Sequence, residues 1–204
     1  MDQTIENLWW KGGYQLDLAI HRQHIHKVAS RGDKTGNNPT DRSKLGTKRH
    51  ILTDKKGIPL SVVISSANTH DINLVTEVVD NTVIKRPKQS SRFKPRSRRR
   101  RLQHLCLDKG YKSIEEEQKL IKQGYTLHIP PKKKKKKGKG EDSEEIAIPN
   151  RKKYSPKRWV VERTNSWHNR FRKLFTRYEK KDENYLGLIQ FSCCIIIYRK
   201  LILG

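Results

Sequence analysis

The sequence predicts an α/β fold in which an antiparallel hairpin precedes alternating strands and helices. At 204 residues the chain is long enough for one full domain. Two strand-like segments, 47–53 and 58–65, are joined by a turn in which Gly57 supplies left-handed backbone. From about His70 the apolar residues follow helical spacing, and a later apolar strand ends at Asp108. A sheet with helices packed on it accommodates this order of elements.

The first half of the chain contains three further elements. A first strand is predicted at 14–20, where Leu16 and alternate apolar residues share one face, and the polar stretch 30–44 indicates a loop. A helix should begin near 70, and either Asn68-Thr69 or Asp71 can cap it.

The second half alternates helix and strand. The strand that ends at Asp108 precedes a helix at 113–123 and a strand at 125–129. A long amphipathic helix is predicted from about 156 to 178, and its apolar side should face the core. The last helix, about 183–203, is apolar over much of its surface and should pack against the sheet.

Two stretches interrupt this pattern. Residues 85–101 hold ten basic residues and no acid, which indicates a basic loop. Residues 132–153 begin with a lysine run and continue into an acidic patch, so we expect a disordered, basic, low-complexity insertion that cannot form a packed core. The predicted organisation is a short amino-terminal segment, 1–13, followed by one domain, 14–204.

The charge balance indicates a polyanionic partner. The chain carries 46 Lys and Arg against 21 Asp and Glu, a formal net charge of +25. Such an excess attracts phosphates strongly, and the chain outside the two basic stretches is basic as well. Nucleic acid is therefore the predicted partner, and the alternative is a merely solubilising lysine-rich surface.

Cysteine usage and hydropathy predict a cytoplasmic protein. Cys106, Cys193 and Cys194 each lie in an apolar run without metal-ligand spacing, as expected for reduced thiols. The amino terminus lacks the features of a signal peptide. The apolar region 186–198 is shorter than the roughly 20 residues that cross a bilayer. We expect no membrane association.

Two acids stand in positions that suit a divalent cation. Asp108 closes the predicted buried strand, and functional groups of α/β sheets gather at the carboxyl ends of strands. Glu162 lies among apolar residues and arginines near the start of a predicted helix. Each acid alone also has a structural interpretation: Asp108 can cap a turn, and Glu162 can pair with Arg158 or Arg163.

Four blocks of the sequence resemble a known family. Residues 105–111 and 158–172 are similar to the second and third blocks of bacterial insertion-sequence transposases of the DDE class, of the IS4/IS5 type. Residues 38–50 and 67–71 are similar to further blocks of that family, so the resemblance covers about 14–200. It implies a ribonuclease-H-like fold, with a mixed five-stranded sheet flanked by helices. It also implies an amino-terminally truncated member, since relatives carry a preceding region that helps to bind the element's ends.

The resemblance implies metal-dependent DNA chemistry. An Asp-Asp-Glu triad, here Asp17, Asp108 and Glu162, would hold two Mg²⁺ ions, or Mn²⁺, for phosphodiester cleavage and strand transfer. Hard Mg²⁺ prefers carboxylate oxygen to sulfur. The implied partners are insertion-sequence ends and target DNA in the cytoplasm, at the nucleoid, and a homo-oligomer that brings two ends together. The basic residues that would contact DNA are Arg158, Arg163, Arg170, Lys109, Arg98 and Arg99.

The first acid allows two alignments. One takes Asp17 as the end of the first strand and accepts extra residues after it. The other keeps the family's spacing, takes 18–20 as the strand end and puts His21 or Arg22 where the acid should stand. Loss of the first acid would leave little activity, so the alternative function is a truncated, inactive remnant that only binds DNA.

Three other interpretations are weaker. His21, His24 and His26 lack the partners and spacing of a known zinc site. Asp41 is a possible metal ligand, but it lies in a sequence typical of a capped turn. A general basic RNA- or DNA-binding protein without catalytic ancestry would explain the charge but not the ordered blocks.

Overall fold

The computed structural model describes residues 17–22, 25–29, 31–39, 41–82, 103–108, 111, 113–129 and 158–203. Of residues 17–22 and of Arg158 it describes the backbone alone. The predicted amino-terminal segment 1–13 and insertion 132–153 lie outside this set, as does the predicted basic loop 85–101.

The described chain forms eight strands and five α-helices. The strands are β1 (Asp17–Arg22), β2 (His26–Val28), β3 (Gly36–Asn37), β4 (Leu45–Thr53), β5 (Pro59–Ser66), β6 (Gln103–Leu107), β7 (Tyr125–His128) and β8 (Thr176–Arg177). A 3-10 helix (Asp71–Leu74) leads into α1 (Val75–Asp80), and the others are α2 (Ile114–Lys122), α3 (Arg158–Asn169), α4 (Arg172–Phe175) and α5 (Asp182–Leu201). None of the described helices is long and apolar enough to cross a membrane.

The strands form one mixed sheet. β4 pairs antiparallel with β5 along one edge and with β1 along the other. β1 pairs in parallel with β6, and β6 with β7. The three short strands attach around β4, since β2 and β3 pair with it and β8 pairs with β2. The predicted mixed α/β sheet flanked by helices is confirmed, and the order β5-β4-β1-β6-β7 of the longer strands is compatible with a ribonuclease-H-like fold.

Helices α1 and α2 cover one face of the sheet. Leu105 and Leu107 of β6 are buried in the same cluster as Val75 and Val78 of α1 and Leu120 of α2. Alternate residues of a strand point to opposite faces, so the residue between the two leucines belongs to the other side of the sheet.

Helices α3 and α5 cover that other face. Cys106 of β6 contacts Val161 of α3, and Ile64 of β5 packs with Tyr185 and Ile189 of α5. Both faces of the central strands are therefore closed, as expected for strands with continuous apolar runs.

Several local predictions are confirmed. The hairpin forms between β4 and β5, and Gly57 has the left-handed backbone expected of the turn (φ +82°). The helix predicted at 113–123 is α2, and α5 packs against the sheet as its apolar surface indicated. The first strand is displaced from the predicted 14–20 to Asp17–Arg22, and residues 14–16 lie outside the described residues.

The predicted cap of the helix near residue 70 is wrong. No side chain caps the 3-10 turn or α1. Asp71 is instead buried, and its carboxylate accepts a hydrogen bond from Lys48 Nζ at 2.9 Å. Lys48 Nζ also donates to the carbonyl of Thr69 at 2.7 Å. Asp71 therefore ties the start of this helix to β4.

The predicted continuous helix over 156–178 is also wrong. α3 ends at Asn169, and Phe171 has extended backbone (ψ 103°) before the single turn of α4. The break lets Leu174 enter the core and lets Arg177 join β8 beside β2. Buried Arg177 donates to Thr47 Oγ1 at 3.0 Å, so tertiary bonds override the local helical pattern.

Candidate active site

Asp108 lies at the carboxyl end of a central strand. It follows β6 directly and is half-buried. Its carbonyl accepts the N–H of Tyr111 at 3.0 Å. The Tyr111 hydroxyl reaches His50 Nδ1 at 3.0 Å inside the core, and His50 Nε2 reaches Ser65 Oγ at 3.0 Å. The turn that carries Asp108 is thus fixed to β4 and β5 by a buried polar chain.

Glu162 lies on α3, which packs mainly against β1 and β4 and reaches β6 through Val161. The preceding residue, Val161, is fully buried against Cys106. Cys106 is two residues before Asp108 on the same face of β6, a separation of about 7 Å along a strand. Glu162 itself is exposed. Both acids therefore belong to the α3 side of the sheet, and the neighbour of Glu162 contacts the strand two residues before Asp108.

The position of α3 is fixed by the hairpin turn. Thr164 Oγ1 donates to the Gly57 carbonyl at 2.6 Å, and Arg163 Nη2 donates to the Lys56 carbonyl. A Cβ atom at Gly57 would lie 2.9 Å from Thr164 Oγ1. The turn therefore needs glycine for its backbone and for its contact with α3.

We expect Gly57→Ala to lower the free energy of unfolding by about 2–3 kcal/mol, because it combines backbone strain with a clash against α3. Gly124→Ala is the matched control, since Gly124 also has left-handed backbone (φ +89°) but is exposed. Its expected loss is about 1 kcal/mol. Urea unfolding measures both, and equal losses would show that the contact between turn and helix contributes nothing.

The basic residues predicted to contact DNA fall into three groups. The guanidinium of Arg163 lies 4.9 Å from the ring centre of Trp159 and 5.2 Å from that of Trp167, in addition to its bond to Lys56. Arg170 is exposed in the turn after α3. The side chain of Arg158, and Lys109, Arg98 and Arg99 altogether, lie outside the described residues.

The strand register places Asp17 away from Asp108. Asp17 pairs with His104, four residues before Asp108, which corresponds to about 13 Å along a strand. Ile20 pairs with Leu107, so the next position, His21, comes opposite Asp108. This register agrees with the alignment in which no acid stands at the end of the first strand.

Two carboxylates alone do not complete a two-ion site. Among the residues whose side chains are described, no three His, Cys, Asp or Glu lie close enough together to hold a metal ion. That set does not include the side chains of β1. Asp108 and Glu162 offer the hard oxygen donors that Mg²⁺ prefers. Whether the site can hold the ions depends on the ligand that a side chain of β1 supplies.

A buried Ser-His-Cys arrangement resembles a nucleophilic site but has the wrong protonation states. His168 Nδ1 lies 2.7 Å from Ser192 Oγ, and its Nε2 lies 3.8 Å from Cys193 Sγ. Burial lowers the pKa of His168 to about 3 and raises the pKa of Cys193 to about 12. A thiolate is the nucleophilic form of cysteine, so burial disfavours a nucleophilic role for Cys193.

Part of the basic charge is internal. Lys48, Arg49 and Arg177 are all buried, and Arg49 Nη2 donates to Asn169 Oδ1 at 3.2 Å. Burial lowers the pKa of Arg49 to about 10. From the sequence alone, these residues were included in the basic charge expected to attract DNA. β4 is buried along almost its whole length because both of its faces are closed, which the sequence alone did not indicate for a strand that carries Lys48 and Arg49.

An acid at the end of a central parallel strand, a second acid on a helix over the sheet and a strongly basic chain are features expected of nuclease and transposase enzymes. A family model described as "Transposase DDE domain" matches residues 17–197. The chain therefore belongs to the DDE transposase family, and the prediction from the sequence blocks is confirmed. Domains of this family generally use divalent metal ions.

A named relative agrees with this assignment. The chain is 33% identical over 168 residues to "Putative transposase for insertion sequence element IS402" of Burkholderia cepacia. The match covers 82% of this chain and 70% of the relative. No solved structure matches the chain. The family implies a role in DNA transposition and binding to DNA.

Proposed function

We propose that this chain cleaves phosphodiester bonds at insertion-sequence ends and transfers the strands to target DNA, with a divalent-metal site to which Asp108 and Glu162 contribute. The observation that supports this is that Asp108 follows the carboxyl end of β6, while Val161, the neighbour of Glu162, contacts Cys106 of the same strand. The fold is proposed to be ribonuclease-H-like, within a domain spanning 14–204.

The chemistry requires oxygen ligands at this place. Two divalent ions about 3.5–4 Å apart activate the attacking water or 3′ hydroxyl and stabilise the leaving 3′ oxygen. Asp108 is held by the turn after β6, and Glu162 is carried by a helix fixed against the hairpin, so hydrogen bonds hold the backbone that carries each acid. Three arginines lie near Glu162 in the chain, which favours them as phosphate contacts. Two of them, Arg158 and Arg163, are on the same helix, and Arg170 follows its end.

Asp17 is the proposed third ligand, and it requires a change of register. A shift of β1 by four residues would bring Asp17 opposite Asp108. An even shift keeps each residue of β1 on its original face of the sheet, and it would also move the pairing of β1 with β4. Without that shift Asp17 is too far from Asp108 to share an ion.

The first test is nicking of supercoiled plasmid in Mg²⁺ or Mn²⁺. We expect wild-type protein to nick, and Asp108→Asn and Glu162→Gln to lose about 100-fold or more, because each removes a metal ligand. The matched controls Asp80→Asn and Glu115→Gln change exposed acids on α1 and α2 and should retain full activity. Undiminished nicking by Asp108→Asn would contradict the proposal.

The second candidate function is an inactive remnant that only binds DNA, and the register of His21 opposite Asp108 favours it. Asp17→Asn and His21→Asp distinguish the two. If Asp17 is a ligand, Asp17→Asn abolishes nicking and His21→Asp adds nothing. If the wild-type protein binds DNA with steep salt dependence but does not nick, and His21→Asp gains metal-dependent nicking, the remnant is correct.

A further inference from the structure

We propose that the hydroxyl group of Tyr111 positions Asp108 for cation binding, by anchoring the turn after β6 to His50 of β4. Tyr111 is then a positioning residue, because it acts through the backbone of Asp108 and not through contact with an ion or with DNA. The inference rests on the proposed function, in which Asp108 is a metal ligand, and it names a residue on which the affinity of that site depends.

The turn after β6 joins Asp108 to the core. The N–H of Tyr111 donates to the carbonyl of Asp108 at 3.0 Å, three residues earlier, as in a β-turn. Asp108 itself is half-buried, whereas Tyr111 is only 1% exposed and packs in the apolar cluster that contains Leu107 and Leu120. A displacement of the Tyr111 ring would therefore move the backbone of Asp108, because this short turn connects them.

Tyr111 and Asp108 belong to opposite faces of the sheet. The Tyr111 ring lies in the cluster under α1 and α2, and His50 shares that face with Leu52, two residues later on β4. Asp108 comes two positions after Cys106, which contacts α3 on the other face. Tyr111 can therefore influence an ion beside Asp108 only through the turn.

The hydrogen bonds beyond Tyr111 have a direction. Ser65 Oγ donates to the carbonyl of Ser66 at 3.4 Å, so it accepts from His50 Nε2, which lies 3.0 Å away. The hydrogen of the neutral imidazole is then on Nε2, and Nδ1 is an acceptor. The hydroxyl of Tyr111, 3.0 Å from Nδ1, is therefore the donor.

This chain of hydrogen bonds ends on a strand that is paired on both sides. His50 is fully buried, and its backbone neighbours are Arg22 of β1 and Val63 of β5. Apolar contacts are non-directional, whereas a hydrogen bond restricts both a distance and an angle. Metal ligands have to be held within about 0.5 Å of their productive positions, so such an anchor can decide the affinity of a site.

The alternative is that the Tyr111 hydroxyl serves the stability of the core alone. Tyr185 offers the comparison, since it is equally buried and its hydroxyl donates to the carbonyl of Leu174 at 3.1 Å, between α5 and α4. Tyr111→Phe and Tyr185→Phe each remove one buried hydroxyl and keep the ring. Both should therefore lower the urea midpoint by similar amounts, and only Tyr111→Phe should alter the site at Asp108.

The test is binding of Mn²⁺ to the whole chain, measured by electron paramagnetic resonance of the free ion. We expect Tyr111→Phe to raise the Kd for Mn²⁺ about 10-fold, as is typical when a group that orients a ligand is lost. Tyr185→Phe should keep the wild-type Kd. In the plasmid assay, Tyr111→Phe should need correspondingly more Mn²⁺ for half-maximal nicking and should recover wild-type nicking when Mn²⁺ is saturating.

Amide hydrogen exchange at residue 111, followed by NMR, tests the anchor without a metal ion. Exchange should become severalfold faster in Tyr111→Phe and stay unchanged in Tyr185→Phe, because only the first variant loosens the turn. Unchanged exchange in Tyr111→Phe overturns the inference, and so does an equal rise of the Kd for Mn²⁺ in both variants.

The variant Asp108→Asn separates this inference from the proposed function. If Asp108→Asn abolishes Mn²⁺ binding and Tyr111→Phe leaves the Kd unchanged, the inference is wrong and the proposed function stands. If the wild-type protein binds no Mn²⁺, or if Asp108→Asn binds it equally well, the proposed metal site is wrong and the inference falls with it.

Discussion

Acidification from pH 7 to pH 4.5 is expected to lower the free energy of unfolding of the wild-type protein by about 2–3 kcal/mol more than that of a His168→Asn variant. His168 is fully buried at the end of α3, and its Nδ1 lies 2.7 Å from Ser192 Oγ. Burial, and then the electrostatic influence of Arg49 and of His26, lower its pKa to about 3. Asparagine retains a polar atom near the position of Nδ1.

The direction of this pH effect follows from the pH at which the folded and the unfolded state each take up the proton. The unfolded chain protonates this histidine near pH 6.5, whereas the folded protein resists protonation down to about pH 3. The contribution of His168 is therefore fully favourable above pH 6.5, falls as the pH drops and levels off near pH 3. Over that whole window the difference amounts to about 5 kcal/mol.

Urea unfolding at a series of pH values measures this effect. The control is His70→Asn, which changes an exposed histidine and should keep the wild-type dependence on pH. The same slope in wild type and His168→Asn between pH 6.5 and pH 4.5 would show that His168 does not titrate as its burial requires.

Much of the fold could be predicted because its signals are local. A glycine in a polar turn between two apolar runs specified the hairpin, and Gly57 has the required backbone. Ser113 and Gly124 bracket the α2 segment in the sequence, and α2 occupies Ile114–Lys122. These features depend on a few neighbouring residues, so no knowledge of the rest of the chain was needed.

The wrong predictions concern residues whose conformation depends on distant partners. The apolar pattern after α3 continues at helical spacing, but Leu174 and Arg177 gain burial and hydrogen bonds only if the helix breaks. Arg177 bonds to Thr47, 130 residues away in sequence. Propensity is a weak prior when such contacts compete with it.

In the candidate site, too, local features could be predicted from the sequence and long-range ones could not. Asp108 and Glu162 were identified from their local sequence, and the fold carries them to the same side of the sheet. Their roles stay predictions. The position of Asp17 depends on the register between β1 and β6, which no local sequence signal determines when both strands are closed on both faces.

The second large effect is expected from the buried pair between β4 and the 3-10 turn. We expect Lys48→Met to lower the free energy of unfolding by about 3–5 kcal/mol, because it removes a buried ammonium group that pairs with the buried carboxylate of Asp71. Lys48 and Asp71 are each less than a tenth exposed, and their charged atoms lie 2.9 Å apart. Lys48 also donates to the Thr69 carbonyl, so the substitution removes a second hydrogen bond.

The double variant Lys48→Met, Asp71→Leu should regain most of this loss, since a buried ion pair and a buried apolar pair of similar volume have comparable stability. Lys44→Met is the matched control, because its 3.4 Å pair with Asp41 is exposed on both sides and should contribute less than about 1 kcal/mol. The single variant Asp71→Leu completes the cycle, and urea unfolding of the wild type, the two single variants and the double variant gives the coupling energy. If Lys48→Met costs no more than Lys44→Met, the pair does not stabilise the fold. Residues 67–71 form one of the blocks that resemble the family, and Asp71 is the last of them. If the expected loss is found, Asp71 serves to anchor a helix to β4 rather than to bind a metal ion.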